Sequence, residues 1–309
     1  MLYFHKSVLL TESIHALNIK SDGIYVDATG GAGGHAAEIL PQLTDGGQLV
    51  IIDCDPDAIK VLKERFKAHR NVFVVLANFR ELESVLNALN FPLIDGVLMD
   101  LGVSSYQIDN PERGFCYKVC ANLDMRMGKK GNSAKEIVNN YSVRELVNIF
   151  KWYGEEKSAV VIAKRIEKCR LIKPIETTFE LVEIIEKSIP SVLRRHGGNP
   201  AKRVFQAIRI EVNNELESLK CGLNAGFFRL KCGGRLCVVT FHSLEDSLVK
   251  SHFRKFVGGC VCSAKFPICS CGKENTAEII TTRPIVPSEN EISMNKRAKS
   301  AKLRVLKKL

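Results

Sequence analysis

The sequence predicts an α/β fold: a mostly parallel sheet covered by helices on both faces and interrupted by an all-helical insertion. Three observations predict it. Apolar runs of strand length alternate with helix-compatible segments over residues 24–100. The first run, Ile24-Tyr25-Val26-Asp27, enters the glycine cluster Gly30-Gly31-Ala32-Gly33-Gly34-His35 and is followed by a helix and a second run, the sequence form of strand, tight turn, helix, strand. From about residue 132 to 195 the signals are helical only, and the strand pattern then returns.

Residues 8–17 place Val8, Leu10, Ile14 and Leu17 at near-helical spacing, a leading helix. After the glycines a helix-compatible segment, 36–40, leads to Leu49-Val50-Ile51-Ile52 and the acid Asp53. The glycines let a ligand approach the backbone where helix amides are unpaired, and Asp53 can accept both hydroxyls of a ribose. An adenosine-containing molecule is therefore expected. Gly31-Ala32-Gly33-Gly34-His35-Ala36 satisfies the dinucleotide fingerprint if its last position is Ala, and equally the looser turn of S-adenosylmethionine enzymes. The spacing alone leaves both ligands open.

Asp55-Pro56 is a helix start, because Asp caps and Pro fits the first helical position, where an amide hydrogen has no partner. Ile59, Leu62 and Phe66 then form one buried stripe, and 72–76 and 94–100 are the third and fourth strands. Leu101-Gly102-Val103-Ser104-Ser105 is a small-residue loop at a strand's carboxyl end, where open parallel sheets bind ligands. Capping boxes at Ser133/Glu136, Ser142/Glu145 and Thr177/Glu180 announce the helices of the insertion. A helix over 204–219, a buried strand within 233–241, a helix over 247–256 and β-prone runs at 278–281 and 303–306 follow, the last two closing the sheet as a hairpin. Seven strands with a late final pair is the count of class I S-adenosylmethionine-dependent methyltransferases rather than of dehydrogenases. The bounds read from this pattern are 1–110 and 204–309 for the Rossmann-like domain, and 111–203 for an inserted helical domain.

At 309 residues, 45% apolar and 26% charged, the chain has room for one large domain or a domain with an insertion. Its longest apolar runs are strand-length, so no bilayer span and no membrane partner are expected. Eleven scattered cysteines without a secretory signal argue for reduced thiols and a cytoplasmic location. The net charge of +11 points to a polyanionic partner. Seven Lys or Arg and no acid fall within 295–309, and Arg194-Arg195-His196 lies near Lys202-Arg203. Either patch alone would suit a solvated surface; both beside an adenosine site favour a nucleic-acid substrate.

A set of motifs then becomes specific: His5-Lys6-Ser7-Val8-Leu9-Leu10, Asp27-x-Thr-x-Gly-x-Gly-Gly-His35, Asp100-Leu101-Gly102-Val103-Ser104-Ser105, Glu112-Arg113-Gly114-Phe115 and Leu123-Asp124-Met125-Arg126-Met127. Tyr153-Gly154-Glu155-Glu156, Phe205-Gln206-Ala207-x-Arg209-Ile210, Phe241-His242-Ser243-Leu244-Glu245-Asp246 and Ser300-Ala301-Lys302-Leu303-Arg304 follow in order. With these motifs the chain resembles the ribosomal RNA small subunit methyltransferase H family, the MraW-type enzymes. The resemblance implies methyl transfer from S-adenosyl-L-methionine to the N4 exocyclic amine of a cytidine in the decoding region of 16S rRNA, within the small ribosomal subunit. It puts cofactor contacts on Gly33, Gly34, His35, Asp53, Phe79, Asp100 and Gln107. Phe79 and Gln107 rest on the resemblance alone; by themselves they suit core packing and a surface loop.

A cytosine amine is a poor nucleophile because its lone pair is delocalised into the ring, so it must be aligned and relieved of a proton. Asp100, Ser104 and Ser105 are the expected catalytic set, with Tyr106 or Phe115 stacking on the base. Arg126, Arg209 and His242 suit either substrate contact or structural pairing. The sequence departs from the family at Asn295-Lys296-Arg297-Ala298-Lys299-Ser300, where a proline is usual, but the basic charge is kept.

Cys260, Cys262, Cys269 and Cys271 suit either a small structural zinc knuckle or reduced loop thiols, and no metal is expected at the methyl-transfer site. Two other readings are an NAD(P)-dependent oxidoreductase, which gives no reason for the basic segments, and a non-catalytic ribosome-assembly RNA-binding factor, which needs none of the cofactor residues. Monomer and homodimer both stay open.

Overall fold

Alternating β-branched and aliphatic residues build a parallel ladder from Ile24–Asp27 (β1), Gln48–Asp53 (β2), Val72–Leu76 (β3) and Ile94–Asp100 (β4) in a computed structural model, which describes residues 7–190, 199–258 and 274–309. Leu230–Thr240 (β5) pairs parallel with β4. Ala277–Ile279 (β6) and β5 both pair antiparallel with Lys302–Lys308 (β7), giving the order β3-β2-β1-β4-β5-β7-β6. Successive side chains leave opposite faces of the sheet. Val50, Ile52, Val97, Met99 and Leu236 enter one core; Leu49, Ile51, Leu98 and Cys237 enter the other.

Leu10–Leu17 (α1), Gly34–Ile39 (α2) and Pro56–Phe66 (α3) cover the second of these faces, and Leu82–Ala88 (α4) covers the first. As expected, Asp55 caps α3: the Asp57 amide donates to its Oδ1 at 3.0 Å.

Backbone contacts divide the chain into two units, Met1–Gly102 with Leu216–Leu309, and Val103–Glu215. The second unit contains Ser105–Asp109 (α5), Ala134–Asn140 (α6), Val143–Trp152 (α7), Ala159–Arg170 (α8), Thr178–Ser188 (α9) and Pro200–Asn213 (α10). All three expected capping boxes form; at α7, Ser142 N donates to Glu145 Oε2 at 2.7 Å and Glu145 N to Ser142 Oγ at 3.3 Å. Leu146, Phe150, Ile162, Ile166, Leu181 and Ile185 meet Val204 and Ile208 in this unit's own core. The sequence pattern puts the interruption at 111–203, whereas these units divide at Gly102/Val103 and Glu215/Leu216. The difference has a local cause: Arg113 accepts from Met125 N at 3.0 Å, tying the segment after α5 forward into the helical unit.

Two expectations need correction. The helix over 204–219 is two helices: α10 ends at Asn213, Asn214 turns left-handed (φ 48°), and Glu215–Arg229 (α11) begins anew. Asn tolerates that conformation, and the apolar spacing runs on through the break. The helix over 247–256 is longer, Ser243–Val257 (α12), because His242 and Glu245 cap it reciprocally. As the β-prone run at 303–306 anticipates, the basic segment 295–309 ends in a strand, β7, from Lys302 onward. There Arg304 donates to buried Asp246 at 2.5 and 3.1 Å, and Lys308 Nζ donates to Leu230 O at 2.8 Å. Arg194, Arg195 and His196, and the four cysteines Cys260, Cys262, Cys269 and Cys271, lie outside the described residues. Among the described residues no helix is long and apolar enough to cross a membrane.

Candidate active site

Three neighbouring strands in the first unit end on an aspartate: β1 on Asp27, β2 on Asp53 and β4 on Asp100. The glycine turn is laced to all three ends. Thr29 N donates to Asp27 Oδ1 at 3.2 Å, Asp100 N to Thr29 Oγ1 at 2.6 Å, and Gly31 N to Asp53 Oδ2 at 2.7 Å. Asp55 N donates to the other Asp53 oxygen at 2.7 Å. Gly33 is left-handed (φ 80°), and a Cβ there would come within 2.8 Å of the Phe66 ring; a Cβ on Gly34 would come within 2.1 Å of Ser7 Oγ. Both glycines therefore let the turn press onto its own neighbours. The side open to a ligand is at Gly31, where among the described residues a Cβ would meet nothing nearer than Thr29 O at 4.0 Å.

The electrostatics of this end are unusual. Asp27 is fully buried and its Oδ2 has no hydrogen-bond partner among the described residues; the same holds for Asp100 Oδ1 and His35 Nε2. Asp100 Oδ2 lies 3.8 Å from His35 Nδ1. Burial pushes His35 down to about 4, so its imidazole is neutral at physiological pH and brings no countercharge. Burial, reinforced by Asp53, pushes Asp27 up to about 7. Burial, then Asp27 and Glu245, raises Asp100 well above the ordinary carboxylate range. Asp53 is raised by burial, against the pull of the Asp55 and Gly31 amides.

Buried carboxylates without a cation are costly, and they favour a ligand that brings positive charge. S-adenosylmethionine fits that demand, because it carries a sulfonium and an ammonium. A dinucleotide does not, because its pyrophosphate would meet the same acids. The antiparallel β7 between β5 and β6 also departs from the dinucleotide-binding strand order. The oxidoreductase reading fails on both counts.

The remaining expected residues fall as follows. Phe79 opens a 3-10 turn after β3, half-buried against α11; a Cβ on Gly222 would lie 2.7 Å from its ring. The structure thus gathers Gly33, Gly34, His35, Asp53 and Asp100 at the strand ends of the first unit. Ser104, Ser105 and Gln107 belong to the helical unit. Ser104 caps α5: its amide donates to Gln107 Oε1 at 3.0 Å, and Gln107 N donates to Ser104 Oγ at 3.2 Å. Gln107 is buried in that capping role. Tyr106 is exposed, and Phe115 packs on the helical core. Arg126 is bound to Asp124 at 2.7 and 3.1 Å, and Arg209 to Glu215 at 2.7 and 2.8 Å, both inside the helical unit. His242 caps α12.

Asp27 and Thr29 stand in the Asp27-x-Thr motif but are not among the expected cofactor contacts. The signal for Asp27 was an acid closing an apolar strand run, the same form that exposed Asp53 and Asp100.

The fold and these strand ends together define a class I S-adenosylmethionine-dependent methyltransferase. A family model described as the MraW methylase family matches residues 2–309. A protein of Clostridium botulinum (strain Loch Maree / Type A3) named ribosomal RNA small subunit methyltransferase H is 52% identical over 310 residues, covering 100% of both chains. Proteins of the same name from Lachnospira eligens and Caldicellulosiruptor saccharolyticus are each 50% identical, covering 100% of this chain and 99% and 100% of their own. The chain belongs to the MraW methylase family.

Proposed function

We propose that this protein methylates the N4 exocyclic amine of a cytidine in the decoding region of 16S rRNA, with the small ribosomal subunit as its partner. The observation that carries the reading is the set of acids closing β1, β2 and β4, of which Asp27 and Asp100 each keep a carboxylate oxygen with no hydrogen-bond partner among the described residues, on a chain whose relatives are named for small-subunit rRNA methylation. S-adenosylmethionine, when bound, supplies an electrophilic methyl on a cationic sulfur.

The residues of the chain do the rest. Asp53 binds the ribose with the lone pairs left over from Gly31 and Asp55. Asp27 and Asp100 complement the positive charge, Phe79 lies against the adenine, and the backbone at Gly33 and Gly34 keeps the turn close. Asp100 accepts from the cytosine amine and takes its proton as the nitrogen bonds the methyl and the sulfonium is left a neutral thioether; a carboxylate raised above its ordinary value is the better base. Ser104 and Ser105 orient the amine, the Ser104 hydroxyl hydrogen being left for donation while its oxygen caps α5. The helical unit recognises the RNA.

Radiolabelled methyl transfer to small subunits from a strain lacking this protein, with mapping of the modified base, tests the reading. Label on the amine of one decoding-region cytidine is the expected result. Label on another base, or none despite measured cofactor binding, would discard the substrate while leaving the cofactor site.

A further inference from the structure

Many cations of the helical unit are paired with acids, while Lys118, Lys130, Arg144 and Lys202 are among those with no ion-pair partner among the described residues. Arg126, Lys135, Lys173, Lys187, Arg203 and Arg209 each sit against an acid. Lys157, Lys164, Arg165 and Lys168, just before and along α8, have no ion-pair partner among the described residues. The helix explains the separation. Ala159, Ile162, Ala163 and Ile166 are buried in the unit's core, which leaves the outward positions 157, 161, 164, 168 and 172 at helical spacing as Lys, Val, Lys, Lys and Ile.

Apolar side chains interrupt the charge on that outward face. Val160 and Val161 are 49% and 53% exposed, and Leu171 and Ile172 continue the line at 81% and 90%. Neighbouring α7 ends in Trp152, the only tryptophan of the chain, 66% exposed with the Lys151 ammonium 5.7 Å from its ring centroid. Over 157–173 there are six Lys or Arg and a single acid, Glu167.

A solvated face commonly intersperses both signs and exposes few aromatic residues. An amphipathic membrane helix would need α8's apolar stripe for lipid, but that stripe is already buried. Unpaired cations flanking an exposed indole match a polyanion that also offers flat faces, which is RNA with unpaired bases.

We propose that the outward face of α7 and α8 is an RNA-docking surface. Lys157, Lys164, Arg165 and Lys168 contact phosphates, and Trp152 stacks on an unstacked base. The surface supplies affinity rather than chemistry, and it rests on the reading of rRNA as substrate.

Because Trp152 is the only tryptophan, intrinsic fluorescence of the full chain reports on this face directly. Titration with a decoding-region fragment of 16S rRNA should give a saturable change whose affinity falls steeply with salt. In the variant K164Q/R165Q/K168Q the slope of log affinity against log salt should flatten by about 2, since each phosphate contact contributes roughly 0.7–0.9. Its KM for small subunits should rise about tenfold or more, with kcat and cofactor affinity unchanged, while K164R/K168R should behave as the native chain. An unchanged slope and KM in the folded triple variant would overturn the surface. So would an equal fluorescence response to polyglutamate, or to vesicles of anionic phospholipid. Absent methyl transfer with a normal RNA titration would instead sink the substrate reading and spare the surface.

Discussion

Asp95 and Asp100 stand on the same strand, β4, and their surroundings are opposite. Asp95 accepts from Ile24 N at 3.0 Å, Lys231 Nζ at 2.7 Å and Lys20 Nζ at 3.4 Å. Burial would raise its carboxyl, but Lys231 and the Ile24 amide outweigh burial and hold it below the ordinary range. Asp100 has no such cation, and burial with two further acids drives it the other way. One end of the strand neutralises its own charge. The other leaves charge for a ligand to neutralise, and that is the mark of a binding site rather than of a scaffold.

Mutations at the two kinds of carboxylate should therefore fail differently. Asp100→Ala should lower single-turnover methyl transfer by about 10²–10⁴-fold at saturating cofactor and should also weaken cofactor binding; near-normal turnover would remove Asp100 from the chemistry. Asp246→Ala should act on stability instead. It strands Arg304, whose side chain is only 9% exposed, and should cost about 3–5 kcal/mol in denaturant unfolding.

Asp27 sharpens the contrast through its sign with pH. Its folded value, about 7, lies above an unfolded value near ~4, so the native state is progressively destabilised as pH rises from about 4 to about 7. Asp27→Asn should thus stabilise the chain at pH 8, by no more than roughly 4 kcal/mol, with the gain gone at pH 4, and it should weaken cofactor binding. Asp95, with a lowered value, does the reverse: its contribution is present at neutral pH and is lost as pH falls through the acidic range. Equal pH profiles for Asp27→Asn and Asp95→Asn would break the comparison. The smallest effect is expected at Asp53→Asn, a rise in cofactor dissociation constant of about 10–100-fold, corresponding to one charge-assisted hydrogen bond.

Much of this was legible in the chain because the signals are local. The acids closing β1, β2 and β4 follow apolar runs, and Asp55, Ser133, Ser142 and Thr177 announce their helices within three residues. What depended on distant partners was not. Arg126 and Arg209 sit in motifs that suit phosphate contact, yet Asp124 and Glu215 hold them. The run at 302–308 is legible as a strand, but that its Arg304 is held by Asp246 is not. Ser104 and Gln107 spell a capping box in the sequence, but family motif and local cap compete for the same residues there.

The central claim is that the strand-end acids of the first unit lack a Lys or Arg partner among the described residues because they await a cationic ligand. Calorimetry of S-adenosylmethionine binding at pH 7, repeated in buffers of different ionisation enthalpy, tests it most directly. With Asp27 raised to about 7 by burial, it still holds a share of a proton at pH 7, so the native chain should release more protons than Asp27→Asn on binding. Equal proton exchange by the two chains would contradict the account.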